Sequence, residues 1–344
     1  MIELSGDVVS NSPKQSVGGN EIINLTDGQI SLFDVRDVHT NAILSNFALA
    51  YEQSSMFIAD KILKNFKVKK ESDSWYKFYQ KDILSIPENI ERGDTAETAI
   101  VTADLTSDSY TCIEYALGML VPQRSIDNAD DPLKPERDAT NILTELILAN
   151  RERRAATALF NTTTFSGYTA ALSAGTQWDD PVNSVPRTNM KKAKNSVRQY
   201  ANKRPNVLVV GETVWDYMEN HPNLLSYISP GGKPENPGLL SKRAVAQIMQ
   251  VDELHVGGAV YNTANKGQTA SISDIWGDYA LFAYVDPQVP LRGMTLGMNI
   301  QSQALIVAKY WVPSRRSWMI EVSVIEVQKI VAAMAGYLFS DVLS

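Results

Sequence analysis

Apolar side chains recur at three- and four-residue steps in one stretch of the chain. Ala139, Ile142, Leu143, Leu146, Ile147, Ala155, Ala158 and Leu159 mark one face of an amphipathic helix over about Glu136–Phe160. Pro135 suits its first turn, and Glu136 and Asp138 suit the positive end of its dipole. At ~1.5 Å per residue such a helix is about 36 Å long. Its opposite face carries Arg151, Glu152, Arg153 and Arg154, a pattern that fits a solvated face or a contact with another subunit. Upstream, Ile43, Leu44, Phe47 and Tyr51 predict a partly helical Asn41–Leu63. The residues before that show no sustained period and read as an arm without its own core, which borrows a neighbour's surface to become ordered.

Alternation with period two marks other segments. Trp75–Tyr79 is β-like, and Thr111, Ile113, Tyr115, Leu117 and Met119 occupy every second position of a later strand. The polar stretch Lys81–Ser109 between them, with Pro87 and Gly93, is at about 25–30 residues too long for a hairpin turn and is expected to reach something outside its own domain. Thr162–Val185 reads as a boundary or surface excursion. Lys191–Tyr200 is a predicted helix, Asn206–Val210 a buried strand ended by Gly211, and Thr213–Asn220 a helix stopped at His221-Pro222. Pro230–Gly238 is a loop, Ser241–Met249 helical, and Glu253–Val260 and Tyr279–Val285 β-like. Leu305–Val312, Trp318–Val327 and Lys329–Phe339 predict consecutive strands. Helices and strands mix without β-α-β alternation, which predicts an α+β class.

Composition narrows the function more than the fold. A chain of 344 residues, 44% hydrophobic and 21% charged, is ordinary globular material for about two domains. A net charge of -7 argues against a protein that works by neutralising phosphates. The single cysteine, Cys112, excludes an intrachain disulfide and a thiolate cluster, fits folding in a reducing cytoplasm, and is expected as a small buried hydrophobe in a strand. Met1–Asn20 lacks a basic start followed by an apolar stretch, and the longest apolar runs fall far short of the roughly 20 residues that span a bilayer, so neither secretion nor membrane insertion is expected.

Candidate chemistry is sparse. The sequence has no Walker loop, dinucleotide-binding glycine pattern, nucleophile elbow or zinc-protease motif. His39, His221 and His255 lie far apart with no partner spacing. Asp127-Asn128-Ala129-Asp130-Asp131 has Ala129 and Pro132 where a calcium loop needs a ligand and a glycine, and reads better as an entry turn to the long helix. Glu321 with Glu326, and Glu88 with Glu91, are carboxylate pairs of a common kind. The aromatics Trp75, Tyr76, Phe78 and Tyr79 beside Lys77 and Lys81 fit sheet and interface packing better than base stacking. No catalytic, cofactor or metal site is expected, and the chain does not read as an enzyme.

From about Phe57 to its C-terminus the sequence resembles phage major capsid proteins of the HK97 fold. The resemblance rests on the order of several pieces. Phe57-Ile58-Ala59-Asp60-Lys61-Ile62 followed by Trp75–Tyr79 is similar to the entry into that family's extended E-loop, and Tyr110–Leu117 to the returning strand. Asn128–Leu133 leading into Arg137-Asp138-Ala139-Thr140 resembles the start of the spine helix. Val209–Glu212 through His221-Pro222, Val256–Ala264 and Ile275–Leu281 resemble the A domain, and Glu321-Val322 through Lys329–Ala332 with Ala335–Leu338 the strands that close the P domain. The implied layout is an N-terminal arm and entry helix over 1–56, an E-loop with flanking strands over 66–120, a P domain from 121–190 and 301–344, and an A domain over 191–300.

The resemblance further implies pentamers and hexamers that close an icosahedral virion shell around double-stranded DNA held as non-specific contents, assembled in the host cytoplasm. Inter-subunit contacts are expected at Trp75, Tyr76, Phe78, Tyr79, Glu88, Arg92, Arg151 and Arg154. A separate scaffolding protein is implied because only an arm and the loop precede the spine helix, and a portal and a decoration protein are the other implied partners. Lys67, Lys69, Lys70, Lys77 and Lys81 match no isopeptide motif, so no cross-linking chemistry is expected. The rival readings are an encapsulin-type compartment shell of the same fold, and an oligomeric hydrolase whose mark would be a pocket of convergent titratable groups.

Overall fold

The two longest strands among the described residues are Gly297–Val312 (β11) and Ser317–Ile330 (β12). They form an antiparallel hairpin with Trp311 opposite Trp318, turned by a short helical bend at Pro313–Arg315 and by Arg316 in left-handed geometry at φ 46°. In β12, Ile320, Val322, Val324 and Glu326 are buried and the residues between them are partly open. The computed structural model describes residues 56–78, 86, 90–92, 94, 98, 100, 105–129, 134–228, 240–265, 267–288 and 294–344, which all belong to the unit Val38–Ser344.

The hairpin is the centre of a four-stranded sheet ordered β1-β11-β12-β4, with β1 at Lys64–Lys67 and β4 at Ile113–Pro122 as its edges. Helix α3 (Pro135–Leu159, 25 residues) crosses one face, with Pro135 in its first turn as the sequence predicts. Short helices α1 (Ala59–Ile62) and α2 (Gln123–Asp127) precede it. The helix buries Ala139, Leu143, Ile147 and Leu148 against Leu305, Val307, Ile320 and Val322. Its buried stripe departs from the predicted face: Ile142 and Leu146 are exposed, whereas Arg151 and Glu152 are 2% and 1% exposed and lie inside. Buried positions 148, 151, 152, 155 and 159 follow a helical repeat, so those two charges stand on the inward stripe and not on a solvated face.

The second sheet is ordered β5-β13-β10-β6-β7, from Thr169–Ala171 (β5), Val207–Gly211 (β6), Glu253–Gly257 (β7), Ala280–Ala283 (β10) and Gly336–Ser340 (β13). Helices α4 (Pro186–Ala201), α5 (Glu212–Glu219), α6 (Pro222–Ile228) and α7 (Lys242–Ile248, capped by the Ser241 hydroxyl) accompany it. Leu208, Val210, Phe282 and Phe339 meet Met190, Val197 and Trp215 in one core, while Val209, Leu281 and Leu338 meet Ile62, Leu159, Phe165 and Trp276 in another. Helix α3 therefore serves both sheets, its first half lying on the hairpin and its last turns, Ala155 to Leu159, on the second sheet.

Several expectations are corrected. Gly336–Leu338 does not continue the hairpin sheet: β13 is buried along its whole length, and a strand apolar on both sides belongs in the doubly covered sheet. The predicted strand Lys329–Phe339 is broken by a bend at Ala333–Ala335. A β-α-β crossover is present, since β6 pairs parallel with β7 through α5, α6 and α7, and parallel neighbours need such a connection. Glu253–Val260 is divided between β7 and β8 (Val260–Asn262), which pairs with β9 (Ile272–Asp274). Thr162–Val185 is more than a surface excursion, because Phe165 and Trp178 within it are core residues. Of Asn41–Leu63 only the end is described, as α1, and Pro230–Gly238 lies outside the described residues.

Candidate inter-subunit surfaces and a buried polar junction

The predicted long loop begins and ends as a ribbon. Ser72–Phe78 (β2) and Leu105–Thr111 (β3) pair antiparallel from Ser72 opposite Thr111 to Phe78 opposite Leu105, so the last part of Lys81–Ser109 is strand. Its base is tied to the hairpin by Lys329, which donates to the Ser109 carbonyl at 3.1 Å, pairs with Asp108 at 3.1 Å and lies 5.8 Å from the Trp75 ring centre. Trp75 itself packs on Tyr110 at 6.0 Å. Tyr76 and Phe78 take their places in β2, Arg92 is exposed, and Tyr79 and Glu88 lie outside the described residues. Beyond the ribbon, Ile86, Ile90 and Ile100 are all strongly exposed.

Arg151 and Arg154 are turned inward. The Arg151 guanidinium makes a two-pronged contact with Glu326, Nε to Oε1 at 3.0 Å and NH2 to Oε2 at 2.9 Å, and its NH1 reaches Asp60 at 3.0 Å. Arg154 adds NH2 to Glu326 at 2.7 Å and NH1 to Gln328 at 2.7 Å, and its guanidinium lies 3.7 Å from the Tyr115 ring centre. Asn299 donates to the second Glu326 oxygen at 3.0 Å. Two cations thus meet two anions where α1, α3, β11 and β12 converge. Arg154 also edges a shallow depression of about 460 Å³ with Arg153, Asn150, Thr157 and Asn161.

Glu152 sits beside this cluster and accepts from N–H donors: the Ile58 backbone at 2.7 Å, the Ala59 backbone at 3.0 Å and the Trp276 indole at 2.9 Å. It joins the segment leading into β1, the long helix and the loop before β10. Sequence reasoning missed Glu326 and Asp60 as partners, although Arg151 and Glu152 falling on the inward helical stripe was a usable signal.

Burial pushes the Glu152 carboxyl above the usual range, against the pull of its three donors. Burial pushes Glu326 up too, but Arg151, Asn299 and Arg154 outweigh it and hold the group below its ordinary value of 4.5. A carboxyl held low in the folded state contributes stability above its unfolded value and loses it as pH falls, whereas Glu152 contributes in acid and loses that contribution as pH rises. Glu326→Gln is therefore expected to lower the thermal midpoint at neutral pH, with the gap to the parent closing below pH 4.5. Melting curves of both proteins from about pH 7 to about pH 3 check this, and a pH-independent gap would refute it.

Two histidines have local explanations. Ser184 donates to the Asp180 carbonyl at 2.6 Å and so receives the His221 Nε2 proton at 2.7 Å, while Nδ1 accepts from the Asn223 backbone at 3.1 Å. That is the reverse of the proton direction that activates a serine, and burial keeps the imidazole pKa low. His255 pairs with Glu253 at 2.9 Å, and burial pushes its pKa down. His39 lies outside the described residues. Among the described residues no group of three or more His, Cys, Asp or Glu is placed to hold a metal, and no helix is long and apolar enough to cross a membrane. Cys112 is buried between β3 and β4.

No family model matches the chain. The major capsid protein of Pseudomonas phage JBD67 is 30% identical over 260 residues, which cover 75% of this chain and 81% of that protein. The crystal structure of a phage-related protein from Bordetella bronchiseptica RB50 is similar with a TM-score of 0.69 at 21% identity, covering 89% of this chain and 98% of the other. The capsid subunit of a native GTA particle is similar in fold, with a TM-score of 0.54 at 12% identity over 93% and 96% of the two chains.

Proposed function

This chain belongs to the major capsid proteins of tailed phages and has their HK97-like α+β fold, and from that premise we propose that it builds the phage head as pentamers and hexamers without catalysing a reaction. It is a structural component of the virion capsid. The likeness to a phage capsid protein favours a head over a cellular compartment shell or a hydrolase. We assign the hairpin sheet with α3 to the P domain and the crossover sheet to the A domain, which takes β5 and β13 out of the P-domain bounds 121–190 and 301–344, and the ribbon to the base of an E-loop laid over a neighbouring subunit. A scaffolding protein, a portal and a decoration protein complete the proposed set, with assembly in the host cytoplasm and DNA enclosed without sequence recognition.

The carrying observation is that Ile86, Ile90 and Ile100, which lie in sequence between the two ribbon strands, are strongly exposed apolar side chains. Such residues gain stability only by burial against another surface. Of the contact residues proposed from sequence, Tyr76 and Phe78 lie in the ribbon strand β2 and Arg92 is exposed between the two ribbon strands in sequence. Trp75 supports its base, and Arg151 and Arg154 act within the subunit.

The test is negative-stain microscopy with sedimentation of the protein expressed alone and with its neighbouring genes, where closed particles or regular rings are expected. A monomer or dimer under every condition would count against the reading. Replacing Ile86, Ile90 and Ile100 by serine is expected to change subunit stability by less than about 0.5 kcal/mol while sharply reducing assembly. Equal losses of folding and assembly in that variant would argue that the loop packs on its own chain.

A further inference from the structure

We infer that β4 is a self-pairing edge: two copies of this chain join antiparallel through their β4 strands about a local two-fold centred on Leu117. This rests on the shell-subunit reading and adds a specific contact to it.

Natural sheets guard their edges with short strands, lysines, prolines or bulges. The other edge of the same sheet, β1, is four residues long and begins and ends with Lys64 and Lys67. In the second sheet, the edges β5 and β7 are three and five residues long. By contrast β4 runs for ten residues, Ile-Glu-Tyr-Ala-Leu-Gly-Met-Leu-Val-Pro, with one charge and a proline only at its last position. It pairs with β12 on one side, and among the described residues nothing pairs with the other. Ile113 and Leu117 are 53% and 40% exposed, and α3, on the same face of the sheet, exposes Ile142 and Leu146.

The sequence of the strand is compatible with its own antiparallel copy. Residues opposite one another in an antiparallel ladder share a sheet face. With Leu117 facing Leu117, Tyr115 meets Met119 and Ile113 meets Val121 on the helix-bearing face, while Ala116 meets Gly118 and Glu114 meets Leu120 on the other. Every facing pair on the helix side is apolar, and no like charges oppose. A closed shell contains two-fold positions, and a contact there must be self-complementary in this way. A second copy is thus the occupant that the strand's own pattern selects.

Facing Cα atoms in such a ladder are about 4.5–5.5 Å apart, within the roughly 7 Å that a disulfide spans. In full-length protein with Cys112→Ala, expressed alone and with the neighbouring genes, Leu117→Cys is expected to form covalent dimers on mild oxidation roughly 100-fold faster than Glu114→Cys, because pairing raises the effective concentration. Chains carrying Glu114→Cys mixed with chains carrying Leu120→Cys are expected to link to each other, which keeps the test available should Leu117→Cys misfold. Equal, slow linking of all these cysteines overturns the proposal, whether or not particles form. So does hydrogen-exchange protection of the outward β4 amides in isolated monomers, which would mean that the chain's own segments cover the strand. Particle formation in the same samples reports separately on the shell reading: linked dimers without particles would retain the contact and remove the shell.

Discussion

Glu326→Ala is expected to destabilise the subunit by about 3–5 kcal/mol, the range for removing one partner from a buried ion pair. The side chain is fully buried, and its loss leaves Arg151, also buried, against Asp60 at the edge of the cluster. Arg154 and Asn299 lose the same acceptor. Against a typical total of about 5–15 kcal/mol, such a loss leaves little margin at physiological temperature. Denaturant unfolding of unassembled subunits would measure it, and a loss under about 1 kcal/mol would mean that the guanidinium groups find water instead. Replacing Arg151 and Glu326 together by apolar residues of similar volume is expected to recover part of the loss, since the single change is costly mainly through the charge it strands.

Gly257→Ala is the second large effect. A Cβ built on Gly257 would lie 2.2 Å from the Trp276 ring, far inside contact distance. The indole has little room to yield: it is fully buried, and its N–H is held by Glu152 at 2.9 Å. On the other side, Gly211 lets the same loop approach, since a Cβ there would meet the Gly277 carbonyl at 2.6 Å. Overpacking of this kind costs about 1–3 kcal/mol, and displacing the indole would add the loss of a hydrogen bond to a charged acceptor, about 1.5–3 kcal/mol. Calorimetry of Gly257→Ala alone and combined with Trp276→Phe, which removes the N–H and part of the ring, tests the mechanism. If the smaller ring rescued nothing, the clash would not be the cause. Because Glu152 also holds the Ile58 and Ala59 amides, this variant is further expected to loosen the segment leading into β1, read as faster hydrogen exchange there.

Much of the architecture was legible in the residues. Three- and four-residue spacing from Ala139 to Leu159 located α3 and alternation located β4, because a buried face imposes its period on the chain whatever lies opposite, while richness in Val, Ile, Trp and Tyr located β11 and β12. The order of short pieces carried the family resemblance. The partners remained hidden. Arg151 and Glu326 are 175 positions apart, and local pattern can tell that a side chain faces inward without telling what waits there. For that reason Arg151 and Arg154 read as surface charges until the tertiary structure closed them onto Glu326. It was likewise tertiary packing that moved Gly336–Ser340 into the second sheet: a short apolar strand fits either sheet by pattern, and only the presence of a core on both its faces decides between them.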